Sequence, residues 1–215
     1  MEGMGKPMKR VVVVGSAPFT DPTVQATYLR EDDLLVAADG GCRLLRAMEK
    51  TPSLLIGDFD SSDRPRDEGI PCVELPVQKD DTDVLAAVRI LLERGYREFV
   101  FLGVLGGRLD HTLANLFVLR FLHENGAVGM LADEQHEVTL LSAGTHRIEP
   151  REGYLLSLLP YGGNVRGVSV TDALYTLDNA DLDTLFPIGV SNAFLGKPVT
   201  VTISEGFLLC ILAKE

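Results

Sequence analysis

Two aspartates, Asp58 and Asp60, follow the apolar run Leu54-Leu55-Ile56-Gly57 with only Phe59 between them. A second acidic knot, Asp80-Asp81-Thr82-Asp83, comes about twenty residues later. Carboxylates at the end of a buried strand are costly to desolvate unless a metal or a paired cation compensates them. Hard oxygen ligands in this arrangement suit Mg²⁺, which is often held by one or two carboxylates plus substrate phosphates. The expected chemistry is therefore the handling of a nucleotide phosphate.

Ala37-Ala38-Asp39-Gly40-Gly41 and Gly106-Gly107-Arg108-Leu109-Asp110-His111 share a property with these acidic segments. Each puts polar or glycine residues directly after an apolar run or at a helix start. The carboxyl ends of strands line the ligand crevice in open α/β sheets, so the segments are expected to converge there. Backbone N–H groups around Gly106-Gly107 can approach phosphate oxygens where bulkier residues would not, and Arg108 beside them is a candidate phosphate clamp. His111 is either a proton carrier or a hydrogen-bonding residue at a helix start.

Plainer alternatives stand beside each reading. Asp80 or Asp81 suits the N-cap of a helix over 84–92, Asp83 favours its first-turn dipole, and Asp110 suits a cap near His111. Asp58 and Asp60 begin no obvious helix, although Ser61-Ser62 after them also fits a turn. Capping one helix does not require three carboxylates. A Walker A loop is absent, since no Gly-Lys-Ser/Thr follows at the required spacing, and Gly15-Ser16-Ala17-Pro18 lacks the later glycines of a dinucleotide fingerprint.

The net charge of -11 lacks the basic footprint that a nucleic-acid partner needs. Three cysteines without CxxC or CxxH spacing read as reduced thiols, and neither a signal core nor an apolar span of the ~18 residues that cross a membrane is found. A soluble, cytoplasmic protein with no membrane partner is expected.

Short apolar runs at 11–14, 34–38, 54–56, 99–102 and 128–132 predict buried strands. Between them, Val84, Leu85, Val88, Leu91 and Leu92 form one helical face with Gly95 as its terminator, Leu113, Leu116, Phe117 and Phe121 form a second, and residues 42–50 a shorter third. This alternation predicts a three-layer α/β domain with a mostly parallel sheet over 1–133. Residues 134–215 carry β-prone runs at 138–141, 146–148, 154–159, 165–170, 173–177, 199–203 and 207–212, separated by Gly, Pro, Asn and Asp turns. They predict an antiparallel β-sandwich.

In order and spacing, these segments resemble the thiamine pyrophosphokinase (thiamin diphosphokinase) family, whose pattern reads approximately A-D-G-G, G-D-x-D-S, K/Q-D-x-T-D and G-G-R-x-D-H-x-x-x-N. The matching stretches are Ala38 to Gly41, Gly57 to Ser61, Lys79 to Asp83 and Gly106 to Asn115. Gly189-Val190-Ser191-Asn192 is similar to a G-[IV]-S-N segment of the family's β-rich part. Two departures stand out. Gly15-Ser16-Ala17-Pro18 replaces an Asn-Gly pair, so no nucleotide contact is carried onto it, and Ala193 stands where an acidic residue is common.

The resemblance implies transfer of the pyrophosphoryl group of ATP to the hydroxyl of thiamine, giving thiamine diphosphate and AMP, with Mg²⁺ as cofactor. It implies an ATP-binding catalytic domain over 1–133, a thiamine-binding sandwich over 134–215, and a homodimer with thiamine near the subunit interface. Asp58, Asp60, Asp80 and Asp83 would serve Mg²⁺ and its water shell, with Asp110 a further ligand or orienting group. Lys79 and Arg108 would meet phosphate, while Asp39, Gly40, Gly41, Thr82, Gly106, Gly107, His111 and Asn115 would shape the nucleotide site. Ser191 and Asn192 would orient thiamine. Because the chain has no Trp, a Phe or Tyr such as Phe194 would pack on it. Two rivals remain: a haloacid-dehalogenase-like phosphatase with Asp58 as nucleophile, and a thiamine- or nucleotide-binding regulator without turnover.

Overall fold

The strand Arg10–Val14 (β1) is a run of four valines after one arginine and is buried along its whole length. β-branched residues buried on both faces belong in the middle of a parallel sheet. That is where β1 lies in the computed structural model, which describes residues 10–58, 69–76 and 81–215. The chain divides into two compact units, Met1–Glu134 and Gln135–Glu215.

In the first unit β1 is flanked by Leu34–Ala38 (β2) and Glu98–Leu102 (β5), both parallel to it, with Val13 opposite Val36 and Phe101. Leu54–Gly57 (β3) and Cys72–Glu74 (β4) extend the sheet beyond β2, and Val128–Ala132 (β6) extends it beyond β5. The order β4-β3-β2-β1-β5-β6 reverses direction between β1 and β5. Open sheets place their ligand crevice at such a switch point.

Helices cover both faces. Cys42–Ala47 (α2), with the short helix Pro22–Ala26 (α1) nearby in sequence, belongs to the face where Leu44, Leu45 and Met48 meet Val12, Val14 and Val100. Asp83–Glu93 (α3) packs on β2 and β3, and Leu109–Glu124 (α4) on β6. α3 is capped by Thr82, whose Oγ1 accepts the Leu85 N–H at 3.2 Å, and not by Asp81; Asp80, the other expected cap, lies outside the described residues. Gly95, just past its end, takes a φ of +88°, the left-handed conformation that terminates helices.

One expected helix face is refined and another corrected. In α3 the fully buried residues are Ala86, Ala87, Val88 and Leu91, whereas Val84, Leu85 and Leu92 are half-buried. In α4 the buried residues are Asn115, Val118, Leu119 and Leu122, while Leu113 and Phe117 face outward. Both sides of α4 are apolar, so periodicity alone could not choose between them. Gly129 on β6 decides the matter: a Cβ there would lie 2.5 Å from Leu122 Cδ1 and 3.2 Å from Leu119 Cδ2. Those two leucines occupy the space that a side chain on β6 would have filled.

The second unit is antiparallel throughout. His136–Leu141 (β7), Leu208–Lys214 (β13) and Tyr154–Pro160 (β9) form one sheet with β13 central. Leu177–Leu182 (β11), Val165–Thr171 (β10), Val199–Ile203 (β12) and Gly144–Ile148 (β8) form the other. Both contribute to one apolar core that includes Leu156, Leu158, Val168, Val170, Val201 and Leu208. β12, Val-Thr-Val-Thr-Ile, shows the buried-and-exposed alternation of a sandwich strand.

Three short elements escaped the sequence reading. β4 has three residues, α1 has five, and β11 begins where the expected 173–177 strand ends. Ala173 makes only an isolated bridge to Phe194. β11, Leu-Asp-Asn-Ala-Asp-Leu, is polar because it is an edge strand that fully buries only Leu182. Side-chain bonds replace part of its ladder: Asp181 Oδ1 accepts from Gly167 N, and Asn179 N donates to Ser169 Oγ.

Candidate functional site

The turn after β1 and the turn after β5 approach so closely that only glycine fits between them. Gly15 N donates to Leu102 O and Ala17 N to Gly103 O, each at 2.8 Å. A Cβ on Gly15 would lie 2.7 Å from Gly103 O, and one on Gly103 would lie 2.7 Å from Gly15 O. At the end of β2 the next turn is packed as tightly, since a Cβ on Gly41 would stand 1.9 Å from the Val14 carbonyl oxygen. Asp39, which opens this turn, has a φ of +50°. A non-glycine residue held in that region is more common where structure serves a site.

These turns enclose a cavity of about 490 Å³ at the carboxyl ends of β1, β2 and β5. Its walls are residues 15–18 after β1, Ala38 and Asp39 after β2, Thr82, Asp83 and Val84 at the start of α3, Gly103, Val104 and residues 106–108 after β5, and His111 and Asn115 on α4. Of the expected site residues, Asp39, Thr82, Asp83, Gly106, Gly107, Arg108, His111 and Asn115 are brought together here. Gly40 and Gly41 are buried beside it and let the β2 turn pack. Asp58 is half-buried at the end of β3 and, like Asp110, stands outside the lining. Asp60, Lys79 and Asp80 lie outside the described residues.

Arg108 and Asp110 form a two-point ion pair, Nε to Oδ1 at 3.1 Å and Nη2 to Oδ2 at 2.6 Å. The Arg108 bond is the largest influence on Asp110 and, with the His111 N–H, holds its carboxyl down at about 2; Asp110 in turn raises the Arg108 pKa. Asp110 is therefore the group that orients the guanidinium. It lies in the first turn of α4 rather than capping it, because the helix already begins at Leu109. Asn115 donates from Nδ2 to Val104 O at 2.8 Å, so its amide fastens the glycine-rich turn.

Residues 15–18 line the cavity although no contact was expected of them. The available signal was positional: Gly15 directly follows the apolar run 11–14, which predicts a buried strand.

In the second unit Ser191 has a φ of +59°, and its N–H donates to Ser157 Oγ at 3.0 Å. Asn192 is buried and spends both ends of its amide on the chain: Nδ2 donates to Tyr175 O at 2.7 Å, while Oδ1 accepts from Tyr175 N and Ala193 N, each at 2.9 Å. It clamps the turn that carries Tyr175. Phe194 is partly buried against the sandwich core, whereas Tyr175 and Phe186 are exposed.

For a divalent cation, the donor set is one of hard carboxylate oxygens, with Asp83 in the wall and Asp58 at the end of the adjacent strand. Among the described residues no group of three or more His, Cys, Asp or Glu side chains could hold an ion, and two of the four expected ligands lie beyond them. One or two carboxylates plus substrate phosphates are a usual Mg²⁺ environment, so the residues present fit it.

A parallel α/β unit with a crevice at its switch point, joined in one chain to an antiparallel sandwich, defines the class as a two-unit α/β protein with its ligand site at the strand ends. The family profile for the thiamin pyrophosphokinase catalytic domain matches residues 26–130, and that for the vitamin B1 binding domain of the same family matches residues 145–208. The thiamine pyrophosphokinase of Bacillus subtilis (strain 168) is 26% identical over 214 residues, covering 97% of this chain and all of the relative. The crystal structure of thiamine pyrophosphokinase from Bacillus subtilis superposes with a TM-score of 0.87 at 24% identity, covering 96% of this chain and 100% of that one. That of Geobacillus thermodenitrificans does so at 0.83 and 25% identity, covering 96% and 98%. The chain belongs to the thiamin pyrophosphokinase family.

Proposed function

We infer that the protein is an ATP-dependent thiamine diphosphokinase. The observation that carries this reading is the convergence of Asp39, Asp83, the glycine turn and the Asp110-held Arg108 on one crevice of a chain in this family. The thiamine hydroxyl oxygen forms a bond to the β-phosphorus of ATP. The bond from that phosphorus to the α–β bridging oxygen breaks, and AMP leaves with that oxygen while the hydroxyl proton passes to a base.

The chain's own residues supply position and charge, which is most of what phosphoryl transfer asks of a protein. Arg108 presents a planar fork to phosphate oxygens, its orientation fixed by Asp110. The N–H groups of the 106–107 turn lie beside it, and Lys79 adds a point charge. Thr82 and Asp83 set the start of α3 at the crevice, while Asp39, Gly40 and Gly41 shape its β2 side. His111 and Asn115 complete the nucleotide wall. Asp58, Asp60, Asp80 and Asp83 would hold Mg²⁺, which, when bound, offsets polyphosphate charge. Ser191 and Asn192 set the turns against which thiamine is oriented. The protein acts in the cytoplasm as a homodimer, with 1–133 serving ATP and 134–215 serving thiamine. A phosphatase reading would need only Asp58 and Asp60 and leaves the Asp39, Asp83 and Arg108 wall unexplained.

The test is incubation with ATP, Mg²⁺ and thiamine. AMP is expected to form in step with thiamine diphosphate, to stop on chelation of the metal, and to fall at least a hundredfold in Asp83→Ala and Asp58→Ala with folding unchanged. Near-normal turnover in both folded variants would sink the metal assignment, and absence of AMP from the wild type would sink the function.

A further inference from the structure

Beneath the crevice lies a hydrogen-bonded bracket that the assignments above leave without a role. Gln25, in α1, is fully buried. Its Oε1 accepts the N–H of Gly103 at 3.2 Å, and its Nε2 donates to Glu134 Oε1 at 3.1 Å. The same Glu134 oxygen accepts the backbone N–H groups of Thr20 at 2.8 Å and Asp21 at 3.0 Å. Partial burial works against the charge on Glu134, but these three donors together with its own backbone N–H outweigh it and hold the carboxyl below its ordinary range.

The bonds join the two walls of the cavity from behind. Gly103 opens the glycine-rich turn, while Thr20 and Asp21 continue the 15–18 turn. The walls also touch directly at their rim, where a Cβ on Gly107 would lie 2.8 Å from Pro18 Cδ. A shift of residues 18–21 is therefore felt at Gly107, next to Arg108. A buried amide with both ends engaged is a rigid spacer, because removing either partner strands a buried polar group.

We propose that Gln25 and Glu134 are positioning residues for the polyphosphate, setting the gap between the 15–18 turn and the 103–108 turn without touching substrate. The proposal rests on the ATP-dependent reading of the crevice. It assigns the bracket to the ATP side alone, so its loss is felt by ATP and not by thiamine.

The experiment measures binding of a non-hydrolysable ATP analogue with Mg²⁺ by calorimetry, and the KM for each substrate, in Gln25→Met, Glu134→Ala and Glu134→Gln. Gln25→Met keeps the volume and loses both bonds. Glu134→Ala removes the acceptor at a half-buried site and stays informative if the buried variant fails to fold. Analogue affinity and ATP KM are expected to worsen roughly tenfold in both, the factor set by about one hydrogen bond. The thiamine KM is expected to stay unchanged. Glu134→Gln, whose amide oxygen can still accept in place of Oε1, is expected to remain within about threefold of wild type.

Unchanged analogue affinity in folded Glu134→Ala, or equal losses for ATP and thiamine, would overturn the bracket. Wild-type protein that binds the analogue yet releases no AMP with thiamine overturns the transferase reading instead, since the affinity comparison does not depend on turnover.

Discussion

Arg108 is held by one neighbour in a way that sets its pH behaviour. Its hydrogen bonds to Asp110 lower that carboxyl to about 2 and raise its own pKa. A depressed carboxylate contributes its interaction fully above the unfolded value, roughly 3.9, and loses it as pH falls through the folded one. The pair is therefore complete throughout the neutral range, and Asp110→Asn is expected to lower kcat/KM without changing the shape of its pH profile between about pH 5 and 9. Arg108→Lys keeps the charge but not the fork, so kcat/KM is expected to drop on the order of tenfold to a hundredfold, the size of one charge-assisted hydrogen bond. Wild-type kinetics in Arg108→Lys would remove arginine from the transfer site. Much of this site was legible in the sequence, because Asp39, Asp83 and Arg108 each stand where an apolar run ends or a helix begins. Gln25 and Glu134 were not. Their partners lie 78 to 114 residues away, and such bonds leave no local pattern.

The secondary elements show the same division between local and distant causes. β1, β2 and β6 could be placed from their apolar runs alone, and α3 ends at the glycine that its pattern required. The side of α4 that faces the sheet depends on Gly129, a residue on another element, and β11 is a strand by its pairing with β10 rather than by composition. The corrected face yields a direct comparison. Leu119→Ala removes a fully buried side chain and is expected to cost about 2–5 kcal/mol in urea unfolding. Leu113→Ala, on the exposed face, is expected to cost far less, about 0.5 kcal/mol or under. The reverse order would mean that the helix is turned as its sequence periodicity suggested.

For the whole molecule, the sandwich unit exposes more large apolar side chains than a lone soluble chain needs: Leu174, Tyr175, Leu185, Phe186, Ile188, Val190 and Leu195. Scattered apolar residues require no explanation, but these sit on turns that the chain holds rigid. Asn192 clamps the Tyr175 turn, Leu174 N donates to Ala193 O at 3.0 Å, and Asp183 Oδ1 accepts from both Leu185 N and Phe186 N. Rigid, exposed aromatic groups lose little freedom when covered, which suits an interface between two copies of the chain. A stable pair must cover roughly 800 Å² on each copy, which a single side chain cannot supply, yet a charge at its centre is enough to disrupt it. Sedimentation at micromolar concentration is therefore expected to give twice the 23.4 kDa of one chain for the wild type, and one chain's mass for Phe186→Asp with an unchanged circular dichroism spectrum. If thiamine binds near that interface, as proposed, the same variant is expected to raise the thiamine KM while leaving ATP-analogue affinity intact, the opposite split from Glu134→Ala. A wild type that sediments as a single chain would refute the pairing and leave the exposed turns to be covered by something else.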